Sequence, residues 1–198
     1  MSWKPQNWKS HLLNGAVLVV VIGLAGVIHQ SSPRDEVWQS PIGVYGEIGD
    51  TITGRNIEVQ VDQVRVTDSV VANNGWAGET TGIWVVVDAT VSAVLTDDGS
   101  NLNTAQLFID GITYGASERP DLGTLFKMAI DTGIPQSGPL MFEVPRDIVT
   151  SAAAEHTEIQ FAFGTDPRAD SLAVVVVDLA ELETLPEVET SDVVWGKQ

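Results

Sequence analysis

The chain has 198 residues with 10 basic and 27 acidic side chains, a formal net charge of −17 and no cysteine. That length holds one domain with a substantial core, and the lack of cysteine removes disulfide staples, thiol catalysis and cysteine-bound zinc or iron–sulfur sites. The acidic excess disfavours nucleic acid as a partner and favours basic ones, although an acidic surface often serves only solubility.

The first element is an uncharged run, Leu12 to Ile28, in which Asn14 is the one strongly polar residue. Such a run holds its backbone in lipid only as a helix, and at about 1.5 Å per residue it extends for roughly 25 Å, a little short of a bilayer core. Trp8, His11 and His29 flank it at interface positions. Lys4 and Lys9 precede it with no acid, whereas Arg34 behind it is followed at once by Asp35 and Glu36, so the positive-inside rule places residues 1–11 in the cytoplasm and everything beyond the helix outside. With the two lysines set apart, eight basic groups face 27 acidic ones, a net −19 on the outer portion. A cleaved signal peptide shares the basic start and apolar core. Its small-x-small cleavage pattern is poorly matched by Ala25-Gly26-Val27, however, and the run exceeds a usual signal core, which favours an uncleaved signal anchor over 12–29.

Gln30 to Pro41 mixes serine, proline and charge as a stalk does, and Ile42 to Gly49, rich in glycine, is either more stalk or a first short strand, with irregular structure expected over 30–49. A period of two then begins. Ile57, Val59 and Val61 share one parity while Val64 and Val66 fall on the other, and a β-bulge at Asp62-Gln63 would return all five to one face. Val70 to Gly82 reads as a loop carrying Trp76 between Gly75 and Gly78. Gly82 to Leu95 is the strongest strand pattern: Ile83, Val85, Val87, Ala89, Val91, Ala93 and Leu95 make a core face, and Trp84, Val86, Asp88, Thr90, Ser92 and Val94 a second face that turns polar.

Thr96 to Asn101 is a turn cluster, and Leu107-Phe108-Ile109, Asp110-Gly111 and Ile112-Thr113-Tyr114 spell a hairpin with a type I′ turn. A short strand is expected at Thr124 to Ile130, others at Pro139 to Val144, Glu158 to Phe163 and Ser171 to Leu179. Beyond them Leu179, Leu182 and Leu185 suit one helical turn ended by Pro186, and the acidic tail, 181–198, reads as disordered or loosely docked. About seven short strands without an amphipathic helix predict an all-β, immunoglobulin-like antiparallel β-sandwich over 50–180, preceded by one N-terminal transmembrane helix.

Asn56 to Phe163 resembles the bacterial DUF4352 domain, also described as telokin-like or MPT63-like, an immunoglobulin-like sandwich found on lipoproteins and membrane-anchored proteins. The resemblance rests on the order and spacing of four features: the valine strand Ile57 to Val66, the strand around Trp84 to Val91, the Asp110 to Tyr114 hairpin, and the Gly133 to Pro145 segment, ending Phe142-Glu143-Val144-Pro145. The chain departs from the family where Ser92-Ala93 stands in place of the usual asparagine. The resemblance implies no catalytic residues, because the family has no common activity.

The residues themselves point away from an enzyme. His156 beside Glu155 is a lone loop histidine without a nucleophile turn, Asp97 and Asp98 lack the alternation of an EF-hand, and Gly43 and Gly46 open no phosphate loop. No catalytic, cofactor or metal residue is therefore expected, and cation binding would require acids that cluster more than these do. Two features suggest contact surfaces. Trp76 sits in a glycine-flanked loop, where it either faces a ligand or folds back over the sandwich edge. The run Val174 to Val177 lacks alternation, so both of its faces must be covered, Val174 and Val176 by the chain's own loops or by a partner. The expected function is a non-enzymatic, membrane-anchored extracytoplasmic module that makes protein contacts, as an accessory subunit of a membrane complex; the alternative is a surface receptor for a solute, cation or cell-wall glycan. Burying each large residue of the Ile83 to Ala93 face contributes roughly 1.5–3 kcal/mol, so Val87→Asp is expected to unfold the domain; circular dichroism showing an intact sheet in that variant would contradict the strand assignment.

Overall fold

The computed structural model describes residues 8–31, 40–95, 101–168 and 170–196. The acidic flank at Asp35 and Glu36 and most of the Thr96 to Asn101 turn cluster lie outside them. The chain divides into two compact units, Met1–Ser40 and Pro41–Gln198.

In the first unit, helix α1 (Trp8–Ser31) has 24 residues, about 36 Å of helix, and its apolar side chains are exposed all round. It is long and apolar enough to cross a membrane, a test that a signal sequence near the N-terminus also passes.

The second unit is a β-sandwich. One sheet has five strands in the order β1-β9-β8-β5-β6: β1 (Ile42–Gly46), β9 (Ser171–Val177), β8 (Thr157–Ala162), β5 (Thr104–Ile109) and β6 (Ile112–Gly115). The other is built on β3 (Ile57–Val71), β4 (Ala77–Ala93) and β7 (Gln136–Val144), and its margins carry β2 (Thr51–Thr53), β10 (Thr184–Leu185), β11 (Val188–Glu189) and β12 (Val194–Trp195). Most pairings are antiparallel, but β1 lies parallel to β9, and β10 and β11 lie parallel to β3.

The period-two patterns place the core as expected. Ile57, Val59, Val61, Val64 and Val66 all enter the main cluster, because the β3–β4 register shifts at Asp62: Val61 opposes Ala89 and Gln63 opposes Asp88. The bulge keeps the valines inward and leaves Asp62 on the outer side. Facing them across the sandwich are Ala105, Leu107 and Ile109 of β5, Ile159 and Phe161 of β8, and Ala173, Val175 and Val177 of β9. At the β5–β6 hairpin Asp110 and Gly111 have φ of 48° and 79°, the two positive values of a type I′ turn.

Four expectations are corrected. Ile42–Gly46 is not stalk but β1, because its backbone completes the margin of the five-stranded sheet. The expected loop Val70 to Gly82 is largely strand: β3 runs to Val71, β4 starts at Ala77, and the register jumps between Thr67–Trp84 and Ser69–Glu79. At that jump the backbones close in so tightly that a Cβ on Gly82 would collide with the Val144 carbonyl. Thr124 to Ile130 forms turns with one isolated bridge, Asn101 to Ala129, and Leu125 still plugs the core. Leu95, expected in the core, is exposed because β4 ends at Ala93.

The tail differs most from expectation. Instead of fraying, it pairs with β3 as β10 and β11, donates the Thr190 N–H to the Val71 carbonyl (2.9 Å), and crosses to the opposite margin, where β12 pairs with β7. The cause lies on the outer face of β4 and β7. Trp84, Val86 and Met141 point away from the main core and form a second buried cluster with Val70 and Val188, against which Trp76 and Leu185 also pack. Val188→Ala should remove about 1–3 kcal/mol from the stability by opening that cluster; an unchanged urea midpoint would show that the tail is not structural.

Candidate functional site

Three features of the β unit combine exposure with organised chemistry. The first is the aromatic end of the second cluster. Trp76 meets Trp84 edge to face with ring centroids 5.7 Å apart, in space that a side chain on Gly78 would occupy. The Arg119 guanidinium lies 5.0 Å from the Trp84 ring and 5.9 Å from that of Trp76, and pairs with Glu143. This stack seals the cluster. Trp76 is accordingly half-buried and folded back over the sheet.

The second feature is a polar basin of about 550 Å³ lined by Asp62, Gln63, Arg65, Asp88, Ala89, Ser137, Gly138, Glu189 and Ser191. The bulge at Asp62 and the alternation of β4 bring the two aspartates to the same outer face. Arg65 pairs with Asp88, while Asp62 accepts from Thr90 Oγ1 (3.2 Å) and Gln60 Nε2 (2.9 Å). Thr90 Oγ1 and Ser137 Oγ are 2.8 Å apart, and the Ser137 hydroxyl donates to the Gly196 carbonyl (2.7 Å), tying the tail to the basin. Burial pushes the Asp88 carboxyl above the usual aspartate range; Arg65 opposes this and the charge of Asp62 adds to it.

The third feature is an open groove of about 820 Å³ where the five-stranded sheet ends. Its apolar members are Tyr45, Ile48, Val176, Val177 and Leu182, of which Tyr45 is 66% exposed, Val176 46% and Ile48 45%. Glu47, Asp50, Asp178 and Glu181 form its rim. Asp178 is committed locally: its Oδ1 caps the Ala180 N–H (2.8 Å) and the Glu181 N–H (3.3 Å).

Of the contact residues read from the sequence, Val176 lies in this groove. Val174, two residues earlier on the same face, is buried between Tyr45 of β1 and Gln160 of β8. The chain therefore covers one of the two valines and leaves the other exposed. Trp76 belongs to a different face. His156 is exposed at the end of a 3-10 turn, Ala152–His156, Gly43 and Gly46 are β1 residues, and Asp97 and Asp98 lie outside the described residues. Among the described residues, no group of three or more His, Asp or Glu is placed to hold a metal ion. The groove partners of Val176, Tyr45 and Ile48, are not marked in the sequence, because the glycine-rich stretch that carries them takes its place only through the pairing of β1 with β9.

No protein-family model matches the chain, and no curated protein matches it. Solved structures that it resembles include an uncharacterized β-sandwich protein from Clostridium difficile, at 14% identity and TM-score 0.47, covering 70% of this chain and 97% of that one. Another is a candidate lipoprotein from Staphylococcus aureus, at 11% identity and TM-score 0.46, covering 72% and 97%. Neither likeness bears on function. Of the resemblance to DUF4352, the β-sandwich is what is shown.

The basin makes stability depend on pH in a defined direction. A carboxyl with a raised native pKa binds its proton more tightly in the folded state, so its contribution is fully present below the usual aspartate range and is lost as pH rises through the raised value. Urea unfolding across acidic pH should show that fall in the native chain and not in Asp88→Asn; parallel profiles for the two would contradict the assignment.

Proposed function

We propose that this protein is a membrane-anchored, extracytoplasmic contact module without enzymatic activity, acting as an accessory subunit of a membrane complex. The supporting observation is the groove of Tyr45, Ile48 and Val176: apolar side chains stay exposed there on a sandwich that elsewhere folds its own tail over apolar surface. In this reading α1 is an uncleaved single-pass anchor with Lys4 and Lys9 on the cytoplasmic side, and the β unit is outside. The immunoglobulin-like character and the kinship with DUF4352 domains belong to the same proposal. A signal sequence at α1 would leave the contact surface unchanged and release it from the membrane.

A receptor for a solute, cation or cell-wall glycan is the competing reading, and the basin is the feature that favours it. Its aromatic candidate, Trp76, is engaged with Trp84 and Arg119, which weighs toward protein contact. The two readings separate by experiment. Crosslinking with mass spectrometry on native membranes should recover protein crosslinks to the β unit, and tryptophan fluorescence should not respond to calcium or wall fragments. A fluorescence response without protein crosslinks would favour the receptor.

A further inference from the structure

A sheet margin offers a row of unpaired backbone groups to any extended chain, and proteins usually cover or blunt it. The seven-stranded sheet here is covered at both margins. Along β3 lie β2, β10 and β11, and along β7 lies β12, each only two or three residues long. In the five-stranded sheet β6, four residues long, pairs only with β5 among the described residues, and the chain then leaves for the other sheet, the Ser117 N–H donating to the Met141 carbonyl (2.7 Å).

β1, the other margin, pairs only with β9 among the described residues, and it is the margin that borders the groove. In a parallel pair, alternate residues bond to the neighbour and the residues between them face away. The Ile42 N–H donates to the Asp170 carbonyl (2.9 Å), which sets Ile42, Val44 and Gly46 toward β9 and turns the N–H and C=O of Gly43 and Tyr45 to the open side. Neither proline nor lysine interrupts Ile42 to Gly46. The open margin runs directly into the groove, whose floor is Tyr45, Ile48 and Val176 and whose rim carries Glu47 and Glu181 beside Asp50, which accepts the Glu47 N–H (3.0 Å).

We propose that β1 accepts an extended segment of a partner protein as an added strand, with alternate lysine or arginine side chains meeting the acidic rim and apolar ones resting on Tyr45 and Val176. This names the partner chemistry for the contact function proposed above and rests on it. Strand addition draws affinity from main-chain bonds and selectivity from alternate side chains, and both are laid out here. A second copy of the chain fits poorly, because it would set one acidic rim against another on molecules that each carry −17.

The test uses the full-length protein in nanodiscs of neutral lipid and two fluorescent eight-residue probes, one alternating Lys and Val, the other Glu and Val, read by anisotropy. The basic probe should bind and the acidic one should not. Tyr45→Pro removes an outward N–H without changing charge and should weaken binding at least about tenfold. Glu47→Lys with Glu181→Lys should do the same, and it keeps the proposal testable if the proline variant fails to fold. Glu79→Lys with Glu118→Lys changes net charge equally, on exposed residues beside the Trp76 face rather than the groove, and should leave binding within about twofold. Equal weakening by both charge pairs, or no effect of Tyr45→Pro in a folded protein, would reduce the attraction to diffuse charge and overturn the proposal. A dimer that Tyr45→Pro dissociates would assign the margin to a second copy and overturn it too. Native crosslinks that map to another face would reject this site while leaving the contact function standing.

Discussion

A two-sheet sandwich buries one face of each sheet, and the seven-stranded sheet here carries large apolar side chains on both. Trp84, Val86 and Met141 face outward from β4 and β7, and at roughly 25 cal/mol per Å2 of apolar surface they require cover. The chain supplies it from its own length. The end of the β3–β4 hairpin brings Val70 and Trp76, and the tail brings Leu185 and Val188. The rest of the unit follows from this covering. It accounts for the register jump after Thr67, for the short marginal strands that seal β3 and β7, and for the Ser137–Gly196 bond that holds the tail across the polar basin.

The interior was legible in the sequence because alternation states which face is buried without reference to a partner. Ile57 to Val66, with its break at Asp62, and Ile83 to Ala93 could be placed from parity alone, and Asp110-Gly111 from the φ angles its turn demands. What could not be read were elements whose structure comes from pairing with distant strands. Ile42–Gly46 is glycine-rich and became a strand because β9 needed a neighbour. Val188–Glu189 and Val194–Trp195 are two residues each, too short to show any period, and they exist because β3 and β7 had open margins. The second face of β4 was read correctly as polar toward Asp88 and Thr90, but its apolar beginning, Trp84 and Val86, signals a second core only when the tail is known to return.

The candidate site was half legible for the same reason. Four consecutive valines announced that β9 is covered on both faces, and Val174 is. Val176 is not, because the residues that would lie over it belong to a groove rather than a lid. Charge adds direction to this asymmetry. Glu47 and Glu181 of the groove sit beside exposed apolar groups and an open backbone margin, whereas Asp62 and Asp88 of the basin are engaged with Arg65, Thr90 and Gln60. A closed margin and an open one on the same small domain distinguish surface used for folding from surface left for contact.

Residue-resolved amide hydrogen exchange on the full-length protein tests that distinction most directly. The Thr190 and Gly196 amides, bonded to the carbonyls of Val71 (2.9 Å) and Pro135 (2.7 Å), should exchange slowly, as strand amides of the core do, while those of Gly43 and Tyr45 should exchange as fast as amides of exposed loops. Fast exchange at Thr190 and Gly196, or protection at Gly43 and Tyr45 in the free protein, would contradict a sandwich that closes one sheet with its own tail and leaves the margin of the other open.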